Sequence, residues 1–368
     1  MKVNEVGNDV RPLVVRMGAL GDMIMLLPFL QRIYERTGMT VDLVVCGNWN
    51  RVLFTHCAWV NKIYIVDSRN APYWFNRSKQ RLVAELKSSA ANRPWYLLEH
   101  LPALYRLMDR AKLQRSYALF TDNFKRINGE HTCEQFLRIA DAAVSYLPAK
   151  PDSAPNLIPH LKVTPDQINE CNEWLARKQI DSRIHKIILI QAGNKKTTRM
   201  GKVNRKSNIK FWPEAKWAEL IQRIALQNPD AKILLCGVPQ EIKLCNAILD
   251  KCGEHARSQC ELVADDLPLS RLMALATLAH SCISVDTGPA HIAAAVGCPL
   301  VVLFGKSDPR QFRPLSVNEV NVVANLNWQD FHGSPQEWAA QNDMEHITVD
   351  MVFEGWRKLS GHRAGFSS

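Results

Sequence analysis

The stretch SVDTGPAHIAAAVGCPLVVLFG, residues 284–305, joins the end of one apolar run to the start of another through a polar turn. CISVD (282–286) reads as a buried strand that stops at Asp286, TGP as a turn, AHIAAAVG as a helix and PLVVLFG (299–305) as the next strand. Two unbroken apolar strands joined through a helix predict a parallel β/α unit covered on both faces. The first turn of that helix presents unsatisfied N–H groups at the positive end of its dipole. Thr287 adds a hydroxyl, Gly288 permits close approach to the backbone, and His291 lies one turn further on. Together they suit a bound anion. Taken singly, they suit a helix cap and a buried, hydrogen-bonded histidine equally well.

The same alternation recurs outward from this unit. PLVVR (12–16), VDLVVCG (41–47), KIYIVD (62–67), KIILIQAG (186–193) and KILLCG (232–237) read as further strands. Helical patterns cover 23–38, 165–178, 213–227, 239–251 and 270–280. The interval 68–149 is mostly helical in pattern, ending in EHTCEQFLRIADAAVSYL (130–147), and a proline-rich linker follows at 149–166. A chain of 368 residues is long for one core. The expected fold is therefore α/β, with two doubly wound Rossmann-like domains facing one another across a cleft: 1–160 and 161–345. The remainder, 346–368, contains DMVFEGWRKLS (350–360), a helix expected to pack back on the first domain, and a tail, GHRAGFSS, expected to fray.

The N-terminal MKVNEVGNDVRP has neither an apolar core nor a small-residue cleavage site. No apolar run reaches the ~18–20 residues that span a bilayer, so a cytoplasmic protein is expected. Ten cysteines without a CxxC pair point to free thiols and to no metal or iron–sulfur cofactor. The net charge of +10 implies an acidic partner. Between Arg77 and Arg126 eleven Lys/Arg face four Asp/Glu, which alone reads as a solvated helical face. No helix-turn-helix, zinc finger or RNA-binding signature accompanies this charge, which argues against nucleic acid.

Two further clusters follow strands. RMGALGD (16–22) is a tight strand-to-helix turn with Asp22 at the helix start, where a carboxylate also serves as a cap. It lacks the G-x-G-x-x-G dinucleotide pattern. QAGNKKTTRMGKVNRKSNIKFWP (191–213) places Thr197, Thr198 and seven cations before a helix that opens at Pro213. That loop suits a pyrophosphate seat, and suits a solvated basic loop as well.

At these motifs the sequence resembles the lipopolysaccharide heptosyltransferases, glycosyltransferase family 9. The family's ordered pattern reads here as GALGD (18–22), TTR…KFWP (197–213), DTGPAH (286–291) and FGKSDP (304–309). The resemblance covers 12–50 and 186–310 well and 68–150 poorly. It implies the GT-B architecture and an inverting, metal-independent transfer of heptose from ADP-heptose to the inner core of lipopolysaccharide, on lipid A-Kdo or a core heptose. By the same resemblance Asp22 is the base, and Gly18, Ala19, Gly21 and His131 lie on the acceptor side. Thr197, Thr198, Lys210, Glu241 (near the ribose), Leu269 (near the adenine), Asp286, Thr287, Gly288 and His291 form the donor site. The basic interval, with Arg110, Lys112 and Arg115, would meet the acidic acceptor and the anionic inner leaflet of a monomer working peripherally at the membrane. The ten residues MGKVNRKSNI before Lys210, together with Pro289 and Lys306, depart from the usual pattern. A GT-B relative of other chemistry, such as a 2-epimerase, and a non-catalytic nucleotide- or glycan-binding protein are the competing readings.

Overall fold

The computed structural model describes residues 10–89 and 91–359. Residues 1–9 and the tail 361–368 lie outside the described residues, and so do the expectations stated for them. The chain divides into two compact units with the boundary between Pro159 and His160.

The first unit is built on five parallel strands: β1 Leu13–Val15, β2 Val41–Cys46, β3 Val60–Val66, β4 Trp95–Leu97 and β5 Ala118–Phe120. Their order is β3-β2-β1-β4-β5, with Leu13 in register with Asp42 on one side and Trp95 on the other. The segment expected to be mostly helical thus contains two strands, one of them next to the centre of the sheet. Both are three residues long, too short to show a period. The helical pattern at 23–38 resolves into Leu20–Ile24 and Leu27–Thr37, the second closed by Gly38 in the left-handed conformation (φ 69°).

Two arginines of helix Leu27–Thr37 turn inward and are buried. Arg32 grips Asp141 through Nε (2.7 Å) and Nη2 (3.0 Å), and donates to the carbonyls of Pro151 and Ser153. Arg36 donates to the carbonyls of Ala142 and Pro148. The first part of the expected linker is therefore fastened to the first unit. Leu161 N–H bonds to the Ala295 carbonyl (2.9 Å), so the second unit takes hold immediately after the boundary.

In the second unit β6 Lys186–Gln191 is followed by a short hairpin, β7 Thr198–Arg199 and β8 Lys202–Val203. Then come β9 Ala231–Leu235, β10 Cys260–Leu262, β11 Ser281–Val285, β12 Leu300–Leu303 and β13 Val320–Val323. The main sheet is parallel throughout, in the order β10-β9-β6-β11-β12-β13. One face buries Trp212, Trp217, Ile221 and Ile224; the other buries Trp174, Leu275 and Trp338 beside Ala290, Ala293 and Ala294 of helix Gly288–Ala295. The small side chains let that helix lie close to the sheet, as the sequence suggested.

The terminal helix, Val349–Arg357, corrects one expectation. Its apolar face does not belong to the first unit's core: Val352, Phe353 and Trp356 pack on β12, β13 and helix Glu214–Gln227. Trp356 Nε1 donates to Ser281 Oγ at 2.9 Å inside the core. A stripe of this kind buries itself on the nearest uncovered sheet face, which here is the second unit's own.

Candidate functional site

Strand order reverses between β1 and β4 in the first sheet and between β6 and β11 in the second. Ligands of doubly wound sheets bind beyond the strand exits at such points. The sequence motifs fall at these two places.

At the exit of β1, the turn Gly18–Ala19 leads into helix Leu20–Ile24, with Gly21 and Asp22 in its first turn. One Asp22 oxygen accepts from the exposed Ala19 N–H (2.9 Å) and the other lies 3.2 Å from Arg16 Nη2. A side chain at Gly18 would place its Cβ 2.5 Å from Asp22 Cβ, so this turn tolerates only glycine. Asp22 caps its helix, as the structural reading held, and its side chain is still one-third exposed. Arg16 also reaches toward β4, where its Nη1 donates to the Leu98 carbonyl and lies 3.7 Å from Glu99 Oε1. The same Glu99 oxygen accepts from Met17 N–H at 2.9 Å.

The acceptor-side expectations fare unevenly. His131 is only 2% exposed, and its Nδ1 accepts from Cys133 N–H at the start of helix Thr132–Ala140. It caps this helix from a buried position. Gln114 N–H bonds to the Ala91 carbonyl, and its own carbonyl accepts from Trp95 Nε1. That turn is thereby pinned to the entry of β4, so Lys112 and Arg115 stand at the opposite end of the sheet from Asp22. Arg115 forks onto Asp109 (2.9 and 2.6 Å), while Arg110 lies 4.7 Å over the rings of Tyr73 and Trp74.

The donor-side expectations converge on the exits of β10, β9, β6 and β11. Glu241, beyond β9, is 4% exposed and accepts from Gln191 Nε2 and Val238 N–H, both at 3.2 Å. Burial raises its pKa above the usual carboxylate value, opposed by hydrogen bonds from Gln191, Val238 and Thr197. A Cβ on Gly193 would sit 2.4 Å from Glu241 Cδ, so the bare backbone at the exit of β6 makes room for this carboxylate. Thr197 is buried and its Oγ1 accepts from Asn194 N–H at 2.6 Å. Thr198 opens the β7–β8 hairpin, whose turn at Met200 and Gly201 has positive φ at both residues (50° and 74°). The ten unexpected residues form most of this hairpin and the return from it.

They do not displace Lys210. Its Nζ lies 2.5 Å from Asp286 Oδ2, beyond β11. Thr287 caps helix Gly288–Ala295 with extended backbone, and its hydroxyl is not consumed in capping. Half-buried Gly288 begins the helix, and His291 follows on its buried side. Leu269 starts helix Leu269–Leu278 beyond β10 and is half-buried. Among the described residues, no group of three His, Cys, Asp or Glu side chains could hold a metal ion, and no helix is long and apolar enough to cross a membrane.

The model of glycosyltransferase family 9 (heptosyltransferase) matches residues 180–337, the stretch that carries every one of these donor-side residues. That stretch of the chain is similar to glycosyltransferase family 9. The chain is similar to lipopolysaccharide heptosyltransferase 2 of Salmonella typhimurium, at 30% identity over 107 residues, 29% of this chain and 30% of that protein. The chain thus spans about a third of the length of that relative. Its fold is that of E. coli ADP-heptose lipopolysaccharide heptosyltransferase II (TM-score 0.67, 18% identity, 94% of this chain and 97% of that one). It is equally that of E. coli heptosyltransferase WaaC with ADP (TM-score 0.64, 17% identity, 94% and 99%). The architecture of the chain is therefore GT-B.

Sequence reasoning missed Arg16, Glu99, Gln191 and Asn194. Gln191 closes β6 and binds both the Gly193 carbonyl (2.9 Å) and Glu241. Asn194, 8% exposed, organises the turn by accepting from Lys196 N–H. The signal was position: each lies one to three residues past a strand exit or at its last residue.

Proposed function

We propose that this chain is a member of glycosyltransferase family 9 that transfers heptose from ADP-heptose to the inner core of lipopolysaccharide, with inversion and without a metal. The observation that carries the reading is the order of residues along one sheet edge. Leu269, Glu241, Thr197 and Asp286 follow β10, β9, β6 and β11, which are successive neighbours. Three strand spacings give about 14 Å, room for an extended nucleoside diphosphate with its base at Leu269 and ribose at Glu241. Thr198, Lys210 and the N-terminus of helix Gly288–Ala295 then take the diphosphate.

In the proposed step Asp22 accepts the proton of an acceptor hydroxyl as its oxygen attacks the anomeric carbon. The bond from that carbon to the diphosphate breaks, and the charge released on ADP meets Lys210 and the helix N-terminus. The relatives' names, lipopolysaccharide heptosyltransferases, support the donor and acceptor. The excess of Lys and Arg supports peripheral work, as a monomer, at an anionic cytoplasmic membrane face.

The test is ADP release from ADP-heptose by the purified chain, with and without heptose-deficient lipopolysaccharide. Release that requires acceptor, with a mass gain of one heptose on it, is expected. Consumption of donor without acceptor would point to an epimerase or hydrolase, and binding without turnover to a non-catalytic protein.

A further inference from the structure

We propose that the turn Tyr73–Phe75 and the helices beside it form the surface by which this chain docks on an anionic lipid bilayer, with Trp74 and Phe75 entering the interface and basic side chains meeting the headgroups. The proposal deepens the reading of peripheral membrane work given above and uses neither Asp22 nor the donor site. It begins in the sequence PYWFNRSKQRLVAELK, residues 72–87, where three aromatic residues precede a basic helix. Tyr73–Phe75 is a single turn of 3₁₀ helix, and Asn76 caps helix Arg77–Lys87 by accepting from Lys79 N–H. Successive side chains of such a turn point about 120° apart, so one core cannot take all three rings. Tyr73 packs against the first unit's core, while Trp74 is 68% exposed and Phe75 88%. Among the described residues no other Trp or Phe is exposed. Two adjacent rings left in water mark a surface that an apolar partner covers.

The charge around the rings selects the partner. Helix Arg77–Lys87 and helix Pro102–Arg110 share one core through Leu82, Leu86, Leu104 and Leu107, so they lie side by side on the sheet. Each sends out two exposed arginines one helical turn apart, Arg77 and Arg81 from the first and Arg106 and Arg110 from the second. The one acid on each helix is engaged elsewhere: Glu85 by Lys62 at 2.7 Å and Asp109 by Arg115 at 2.6 Å. None of these helical arginines pairs with a carboxylate among the described residues. Arg110 instead stands 4.7 Å over the rings of both Tyr73 and Trp74, which fixes its charge beside the exposed aromatics. A free anion would use the arginines and leave Phe75 in water, and an uncharged apolar partner would leave the arginines unmatched. A bilayer with anionic headgroups uses both, taking aromatic rings at the interface and basic side chains against the lipid charge.

The experiment is co-sedimentation of the full chain with vesicles of phosphatidylcholine, alone or with an equal part of phosphatidylglycerol, in the absence of ADP-heptose and lipopolysaccharide. Stronger binding to the anionic vesicles is expected. Arg77→Glu with Arg81→Glu should weaken it at least about tenfold in low salt, and much less in high salt, where exposed charges are screened. Trp74→Ser with Phe75→Ser should weaken it at either salt, because burial of the rings is not screened. Trp74→Phe keeps an apolar ring, so it should retain binding and lose the blue shift of tryptophan emission that the wild type shows on vesicles. Arg183→Glu with Arg257→Glu makes the same change of net charge on the exposed surface of the second unit and should bind like wild type. Thermal melts show that each variant is folded, and Phe75→Ser alone, at the most exposed ring, is the variant least able to disturb the core. A wild-type chain that ignores anionic vesicles, variants that all bind like wild type, or a second-unit pair that loses binding as strongly as Arg77→Glu with Arg81→Glu overturns the proposal. So does a surface that joins two copies of the chain in lipid-free buffer and comes apart in Trp74→Ser with Phe75→Ser, or a Trp74 emission shift on delipidated core oligosaccharide with none on vesicles. Transfer to a delipidated acceptor is measured separately: its absence from the wild type counts against the proposed function, while vesicle binding is still read.

Discussion

Lys210 and Asp286 meet at 2.5 Å, Nζ to Oδ2, joining the end of the loop after β6 to the exit of β11. The pair survives an insertion that the family pattern does not contain, because the extra residues fold into their own hairpin. That hairpin is tied down by Lys243 Nζ on the Gly201 carbonyl (2.8 Å). It also leaves Lys210 and Asp286, both expected in the donor site, side by side.

Lys210→Ala should therefore weaken ADP binding about tenfold, the usual weight of a charge-assisted hydrogen bond. Calorimetry checks it. Affinity within twofold of wild type would place the diphosphate away from this pair.

Asp22→Asn should lose roughly 10²–10⁴ in turnover and leave ADP affinity unchanged. The amide keeps the shape and loses the proton acceptor. Single-turnover transfer assays report the difference, and near-normal rates would leave Asp22 with only its bond to Ala19.

Gly193→Ala should lower ADP affinity and melting temperature together. Its methyl would sit 2.4 Å from Glu241 Cδ, so the carboxylate must leave the ribose position. An alanine variant that binds ADP normally would show that Glu241 is not needed there.

Lys112→Glu combined with Arg115→Glu should leave kcat and the acceptor KM near wild type. Both residues stand at the strand-entry end of the first sheet, away from Asp22. A several-fold rise in KM that disappears in high salt would restore these cations to acceptor binding.

Burial, with a smaller contribution from Lys186, holds His280 down at about 4 against an ordinary 6.5. Below pH 6.5 the unfolded chain takes up a proton that the folded one refuses. Stability should thus be full above 6.5 and decline as the pH falls toward 4. Melting temperatures across that window should show a shallower decline in His280→Gln, and identical slopes in the two proteins would refute the assignment.

The strands with long apolar runs were legible in the sequence, because Val, Ile and Leu on both faces leave an unmistakable mark in β1, β2, β6, β9, β11 and β12. β4 was not: PWYLLE offers three strand residues beside residues that also fit a helix. Of the donor-side candidates, Thr197, Thr198, Asp286, Thr287, Gly288 and His291 sit in turns whose chemistry is local, whereas Glu241 and Leu269 entered only through the resemblance. Arg16 and Glu99 were not, since 82 residues separate Met17 from its partner Glu99 and only the pairing of β1 with β4 brings them together. The terminal helix failed for a similar reason. Its apolar stripe was plain, but a stripe does not name the surface it will cover.

That stripe has a consequence for how the protein is made. The first unit has all of its strands in hand once residue 120 is synthesised, and can fold on the ribosome while the rest is still being translated. The second cannot close its core until Trp356 arrives. A message truncated anywhere before that point leaves the face of β12 and β13 bare, a parallel sheet with exposed Val and Leu. The donor-side half of this protein is therefore the last to close its core.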